Sequence, residues 1–164
     1  MKAAVELVLG TAQFGMSYGI AGRGTPVPTD EIRAILARAW NSGIRIVDTA
    51  PVYGDIEARI DRLAGDYAFA VVSKIPALPP GLVPSAAAMF VTESIRKTRA
   101  RLGQRLSAIL FHRADDLLGD QGNVAWQAAM STTADMQVQL GVSCYSPSEA
   151  AAVRAKFPVT AAQI

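Results

Sequence analysis

The sequence predicts an α/β fold in which strands and helices alternate and the strands form a parallel sheet. Short runs of apolar or β-branched residues recur at six places along the 164 residues. Between them lie segments whose apolar residues follow the helical period of about 3.6 residues. Several of these segments also carry the start and stop signals of helices. Such alternation is typical of repeated strand–helix units.

The six apolar runs are the predicted strands, because β-branched residues favour strands. They cover residues 7–9, 44–47, 69–72, 108–111, 138–142 and 159–162. Six strands and five helices fit both an open doubly wound sheet and a barrel. No GxGxxG motif follows the first strand, and this weakens the open sheet that binds dinucleotides.

The first predicted helix begins at Thr29, a good N-cap, and two acidic residues follow at the positive end of the helix dipole. Gly43 is its predicted stop, since glycine is common just past a helix end. The second predicted helix covers residues 56–63 and stops at Gly65.

The third predicted helix has one apolar face, formed by residues 91, 95, 98 and 102, and is followed by Gly103. The fourth lies near residues 124–134. The fifth opens with Ser146, Pro147 and Glu149, which form a capping box with proline at the first helical position.

Composition excludes several classes of function. Half of the residues are hydrophobic (51%), 18% are charged and the net charge is only +2, which is typical of a globular protein. We read the arginines between Arg96 and Arg105 as a solvated helix face, and we expect no nucleic-acid partner. No apolar run approaches the roughly 20 residues of a membrane helix, and no metal site is expected. Cys144 is the only cysteine, so we expect a cytoplasmic protein without an internal disulfide.

Four residues that can carry chemistry follow the predicted strands. Asp48 follows the second strand, Lys74 the third and His112 the fourth, while Tyr53 lies in the loop after Asp48. Each alone has an ordinary explanation, such as a helix cap, a solvated charge or a packing ring. In parallel βα proteins, however, active sites lie at the carboxyl ends of the strands. The coincidence of all four predicts one shared cavity.

The sequence around these residues resembles the aldo-keto reductases. Asp48–Gly54 is similar to that family's D-T-A-x-x-Y-G segment, and four other segments match its strand motifs in the same order. These segments are Gly10–Gly15, Ser73-Lys74, Leu110–His112 and Gly141–Ser146. The resemblance implies a TIM (β/α)8 barrel in which residues 1–164 form a single, incomplete domain with about six of the eight parallel strands. It also implies that NADPH, or alternatively NADH, reduces an aldehyde or ketone substrate.

The resemblance assigns a catalytic role to each of the four residues. Tyr53 is the general acid that protonates the carbonyl oxygen. An unperturbed phenol has a pKa of about 10, and a nearby ammonium such as that of Lys74 favours its ionised form. Asp48 orients Lys74 and keeps it charged, and His112 positions the substrate oxygen.

The resemblance also implies a set of cofactor contacts. Ser143 and Gln163 match residues that hold the nicotinamide carboxamide. Cys144 stands where the family usually has asparagine, and a reactive thiol is the alternative interpretation of this residue. The remaining implied contacts come from Gly10, Thr11 and Asp48.

Several alternatives stay open at this point. A lysine at the end of a barrel strand can also form a Schiff base, so Lys74 permits an aldolase-like enzyme. The resemblance further implies that the chain stops within or just after strand six, which leaves two sheet edges. The chain is then a piece of a longer enzyme, a partner in self-association through those edges, or an inactive fragment. In the last two cases it can serve as a non-catalytic assembly module.

Overall fold

The computed structural model describes residues 6–17 and 25–164, whose strands form a single parallel sheet. Each strand pairs with the next along the chain. The strands are β1 (Val8–Gly10), β2 (Ile46–Asp48), β3 (Ala70–Ile75), β4 (Leu106–Phe111), β5 (Gln139–Ser143) and β6 (Ala161–Gln163). A doubly wound sheet reverses its strand order partway across, and this sheet does not. The sheet curls into part of a barrel, which confirms the predicted incomplete TIM-type fold.

Helices connect successive strands. The α-helices of the described residues are α1 (Ala12–Gly15), α2 (Thr29–Asn41), α3 (Ile56–Ala64), α4 (Pro84–Leu102), α5 (Asp115–Leu118), α6 (Gly122–Thr133) and α7 (Pro147–Lys156). A 3₁₀ turn at Gly103–Arg105 follows α4. The short helices α1 and α5 were not predicted, because four residues are too few to show a helical period. Across the described ranges, no helix is long and apolar enough to cross a membrane.

All the strands except β4 extend further towards their carboxyl ends than predicted. In particular, β3 continues through Ser73 and Lys74 to Ile75 instead of stopping at residue 72. Lys74 pairs with Leu110 of β4 in the parallel ladder. Backbone groups form this ladder whatever side chain they carry, so the polar pair Ser73-Lys74 does not end the strand. Lys74 is therefore held in a strand, and not in a loop.

Two of the predicted helix signals have different outcomes. Thr29 is the first residue of α2 and does not cap it; Pro28 occupies the cap position. The Thr29 hydroxyl instead accepts a hydrogen bond from Arg59 at 2.8 Å. The predicted N-cap of α7 is confirmed, since the Ser146 hydroxyl accepts a hydrogen bond from the Glu149 amide. The return bond of the predicted capping box differs, because the Glu149 carboxylate accepts from the Tyr145 amide and not from that of Ser146. The predicted ends of α3 and α4 at glycine are confirmed as well.

The apolar core lies between the sheet and the helices. One buried cluster joins α2 and α3 to the first strands and includes Leu36, Ile60 and Val47. A second joins α4 and α6 to β4 and β5 and includes Ile109 and Trp126. Successive side chains of a strand point to opposite faces. In β3, Ser73 and Lys74 are both buried and therefore face opposite sides of the sheet.

Close packing of β5 against β6 depends on Gly141. A Cβ atom at this position would lie 1.9 Å from the Ala161 carbonyl oxygen. Replacing Gly141 with alanine is expected to lower the free energy of unfolding by about 1–3 kcal/mol, the usual cost of overpacking. Thermal unfolding followed by circular dichroism measures the effect. Gly10→Ala is the matched control, because a Cβ at Gly10 meets nothing within 4 Å. Equal melting temperatures for the two variants would contradict this packing.

Candidate active site

The four predicted catalytic side chains lie together at the carboxyl ends of β2, β3 and β4. The Nζ atom of Lys74 is 2.6 Å from Oδ1 of Asp48 and 5.6 Å from the centre of the Tyr53 ring. The rings of Tyr53 and His112 meet edge to face, with their centres 6.3 Å apart. An acid, a base, a phenol and an imidazole thus surround one point.

The Lys74 ammonium is fixed by burial and by two hydrogen bonds. Its side chain is 2% exposed, and that of Asp48 is 13% exposed. The ammonium donates to the Asp48 carboxylate and, at 3.1 Å, to the Thr49 carbonyl oxygen. A buried charge without partners is costly, so these two bonds hold the ammonium in one place. The Lys74 ammonium, held by Asp48 and Thr49, is therefore preorganised 5.6 Å from the centre of the Tyr53 ring.

Thr11 holds the backbone of Asp48. Both its amide (3.0 Å) and its hydroxyl (2.9 Å) donate to the Asp48 carbonyl oxygen. Thr11 is fully buried, so its hydroxyl is engaged in positioning Asp48. Its predicted contact with a cofactor stays a prediction, as does that of Gly10. Both residues line a pocket of about 330 Å³ whose wall also includes Asp48 and Tyr53.

The loop that carries Tyr53 rests against a glycine whose role the sequence did not reveal. A Cβ atom at Gly15 would lie 1.7 Å from the Tyr53 carbonyl oxygen. Only glycine therefore allows α1 to approach this loop so closely. Gly15 was recognised only as part of a motif, because a single sequence does not show which distant segments touch. This contact fixes the position of the Tyr53 backbone relative to α1.

Burial lowers the pKa of the His112 imidazole below its ordinary value of 6.5. The nearby Lys74 ammonium lowers this pKa further, and Asp48 acts in the opposite direction. His112 is therefore neutral at neutral pH, with one ring nitrogen able to donate a hydrogen bond and the other able to accept one. Because the pKa of His112 is lower in the folded chain than in the unfolded chain, protonation favours the unfolded chain. The stability linked to the neutral imidazole is therefore present above pH 6.5 and is lost as the pH falls through the folded-state pKa.

His112 is the only histidine of the chain, so its titration can be followed without overlap. We expect its imidazole proton resonances in NMR spectra to titrate with a midpoint below 6.5. In a Lys74→Met variant the midpoint should rise, because a neighbouring positive charge has been removed. Lys97→Met is the control, since Lys97 is an exposed residue of α4. An unchanged midpoint in Lys74→Met would contradict the proximity of the two side chains.

The predicted cofactor residues of β5 and β6 adopt two different environments. Ser143 and Gln163 are paired in the register of these strands, at their carboxyl ends. Within the described ranges, neither side chain makes a hydrogen bond to the protein. Cys144, in contrast, belongs to the second apolar cluster, and burial raises the pKa of its thiol, with a smaller contribution from Glu149. The thiol is thus not a reactive group, and the predicted contact of Cys144 with a cofactor stays a prediction.

A larger cavity, about 780 Å³, lies at the amino ends of β3 and β4. It contains none of the four catalytic candidates. The arginines near it bond to carboxylates of the chain itself: Arg105 pairs with Asp61 at 2.7 Å and Arg101 with Glu57 at 3.0 Å. Among the described residues, no group of three or more His, Cys, Asp or Glu side chains is arranged to hold a metal ion.

The solved structures similar to this chain include aldo-keto reductases. A Pseudomonas aeruginosa protein described as an aldo-keto reductase is 25% identical, with a TM-score of 0.66, over 84% of this chain and 54% of its own. The glycerol dehydrogenase of Gluconobacter oxydans is 23% identical, with a TM-score of 0.60, over 94% and 49%. A variant of Gox0644 solved in complex with NADPH is 19% identical, with a TM-score of 0.60, over 96% and 52%.

The chain thus spans about half the length of these structures. No curated protein matches it significantly. The sequence profile of the Aldo/keto reductase family, however, matches residues 6–164, which is nearly the whole chain. The chain therefore belongs to the aldo/keto reductase family.

Proposed function

We propose that this chain carries the catalytic residues of an oxidoreductase that reduces an aldehyde or ketone with NADPH, with Tyr53 as the general acid. One observation carries the proposal. A buried ammonium, that of Lys74, is bonded to Asp48 at 2.6 Å and lies 5.6 Å from the centre of the Tyr53 ring. Such a group stabilises negative charge on a phenol oxygen, and this is what a phenol needs in order to give up its proton.

The roles of the side chains follow from this arrangement. When bound, NADPH would supply a hydride for the carbonyl carbon, and the chain's own side chains would have to supply the proton that the carbonyl oxygen needs. Tyr53 donates that proton, and Lys74 stabilises the phenolate that remains. Asp48 keeps Lys74 charged and in place. The neutral imidazole of His112 donates a hydrogen bond that orients the carbonyl oxygen.

The polar groups of β5 and β6 fit a nicotinamide. A carboxamide has both an acceptor oxygen and donor hydrogens, so it needs partners of both kinds. The Ser143 hydroxyl and the Gln163 amide can each donate and accept, and the strand register brings them side by side. We propose that these two residues hold the carboxamide. NADPH rather than NADH is proposed because a similar fold, that of Gox0644, is solved in complex with NADPH.

The Schiff-base alternative fits the site less well. Attack by a lysine on a carbonyl requires a neutral amine with a free lone pair. The Lys74 nitrogen is instead engaged as a hydrogen-bond donor to a carboxylate and to a backbone carbonyl. Borohydride trapping is expected to leave no substrate adduct on Lys74. A trapped adduct would favour the aldolase-like reaction.

Self-association through the sheet edges and a cytoplasmic location also stay proposals. Within the described residues, β1 and β6 each have one neighbouring strand, and unpaired edges can bind another strand. The proposed cytoplasmic location rests only on the sequence, in which Cys144 is the only cysteine. A stable dimer without turnover would favour the assembly-module alternative. Native mass spectrometry distinguishes a monomer from a dimer.

Fluorescence titration of the chain with NADPH tests the cofactor assignment. We expect saturable binding in the micromolar range. Gln163→Leu should weaken it about threefold to tenfold, the usual cost of one lost hydrogen bond. Gln127→Leu is the matched control, because Gln127 is an exposed residue of α6. No binding up to millimolar NADPH would contradict the assignment of a cofactor site to this chain.

A further inference from the structure

We infer that Glu57 is a positioning residue that fixes the place of Lys74 relative to Tyr53. Glu57 itself lies on the opposite side of the sheet from both residues. The inference rests on the proposed function in one respect, namely that the pair it positions is the proposed catalytic pair. The sequence pattern did not single out Glu57, because it reads as an ordinary acidic residue in the first turn of α3.

Glu57 is a buried carboxylate that joins three elements of the fold. Its side chain is 1% exposed. Ser73 of β3 donates a hydrogen bond to its Oε1 atom. Thr98 of α4 donates to the same oxygen at 3.3 Å, and Arg101 of α4 donates to Oε2 at 3.0 Å. The carboxylate thereby holds α3, β3 and α4 at fixed distances from one another.

These contacts act on the residues of the site through short stretches of backbone. Ser73 directly precedes Lys74 in β3, and successive side chains of a strand point to opposite faces. A bond at Ser73 therefore restrains the peptide unit from which Lys74 extends. On the other side, α3 begins at Ile56, just after the loop that carries Tyr53. Glu57 thus links β3, which carries the Lys74 ammonium, to the loop that carries the Tyr53 phenol.

A purely structural role is the competing explanation. A buried ion pair often adds little stability compared with apolar residues of similar size, whereas it can fix one arrangement among several. Under the structural explanation, changing Glu57 lowers stability and leaves the site as it is. Under the positioning explanation, Lys74 moves relative to its neighbours even in variants that remain folded.

The titration of His112, the only histidine, separates these explanations without substrate or cofactor. The charged groups that act on its imidazole are Lys74 of β3 and Asp48 of β2, and the ring of Tyr53 lies against it. If Lys74 moves away, the midpoint rises. Removal of the negative charge of Glu57 would by itself lower the midpoint, so a rise reports movement and not the direct effect of that charge.

The experiment compares Glu57→Gln, Ser73→Ala and Thr98→Val by NMR titration and thermal unfolding. We expect the His112 midpoint to rise in Glu57→Gln and in Ser73→Ala, part of the way to its value in Lys74→Met. Thr98→Val is the matched control. It removes a hydrogen bond to the same carboxylate from α4, so it should lower the melting temperature and leave the midpoint unchanged.

Each result either supports the inference or contradicts it. An unchanged or lowered midpoint in folded Glu57→Gln would contradict it, and an equal rise in Thr98→Val would contradict the route through Ser73. If Glu57→Gln does not fold, Ser73→Ala carries the test, because the carboxylate remains in place. Failure of the proposed reduction would not change this titration, so the two proposals fail separately.

Discussion

Replacing Tyr53 with phenylalanine is expected to lower turnover about 100-fold to 10,000-fold, the usual contribution of a general acid. The variant keeps the aromatic ring against His112 and loses only the proton donor. NADPH affinity should remain nearly unchanged, because the proposed carboxamide partners lie on β5 and β6. The measurement is the loss of nicotinamide absorbance in the presence of an aldehyde, followed for the parent chain and the variant.

Tyr67→Phe is the matched control for this experiment. Tyr67 precedes β3 at the other end of the sheet, where its ring stacks on Trp40. Loss of the Tyr67 hydroxyl should leave turnover within about twofold of the parent, since the ring contacts remain and the residue lies at the other end of the sheet from the site. Undiminished turnover in Tyr53→Phe would contradict the assignment of Tyr53 as the acid.

Replacing Lys74 with methionine is expected to remove turnover and also to destabilise the fold. Breaking a buried ion pair by deleting one partner costs about 3–5 kcal/mol, because the remaining charge is left without compensation. We expect about 3 kcal/mol, the lower end of that range, since 13% of the Asp48 side chain remains accessible to water. Urea unfolding of the parent and the variant measures the change.

Lys97→Met serves as the control for the loss of a lysine. Lys97 pairs with Glu93 at 3.3 Å, and its side chain is 62% exposed. An exposed pair contributes at most about 1 kcal/mol, so this variant should unfold nearly as the parent does. A Lys74→Met variant as stable as Lys97→Met would show that the Asp48–Lys74 pair is not a buried ion pair in solution.

Local patterns predicted the order of the strands and helices and the region of the site. The apolar runs identified the region of each strand, because β-branched and other apolar residues favour strands. The convergence of Asp48, Lys74 and His112 followed from topology, since parallel strands end on the same side of the sheet. The confirmed N-cap at Ser146 shows that a cap depends on its near neighbours in the chain.

Features that depend on distant contacts were not predictable. Thr29 was expected to cap α2, but a hydrogen bond from Arg59 on α3 engages its hydroxyl. The packing of Gly15 under the Tyr53 loop and the bonding of Ser73 to Glu57 likewise join segments far apart in sequence. The propensity of a residue for a helix or strand depends on its neighbours in sequence. These contacts depend instead on which distant segments the fold brings together.

Transfer of deuterium from NADPH labelled at its hydride position tests the central claim most directly. The chain is incubated with the labelled cofactor and an aldehyde, and the alcohol is analysed by mass spectrometry. We expect the parent chain to form alcohol with one deuterium on the carbinol carbon and Tyr53→Phe to form almost none of this labelled alcohol in the same time, because the reduced carbonyl requires the proton that Tyr53 supplies. Unlabelled alcohol, or equal amounts of labelled alcohol from both proteins, would contradict reduction at the Asp48–Tyr53–Lys74–His112 site.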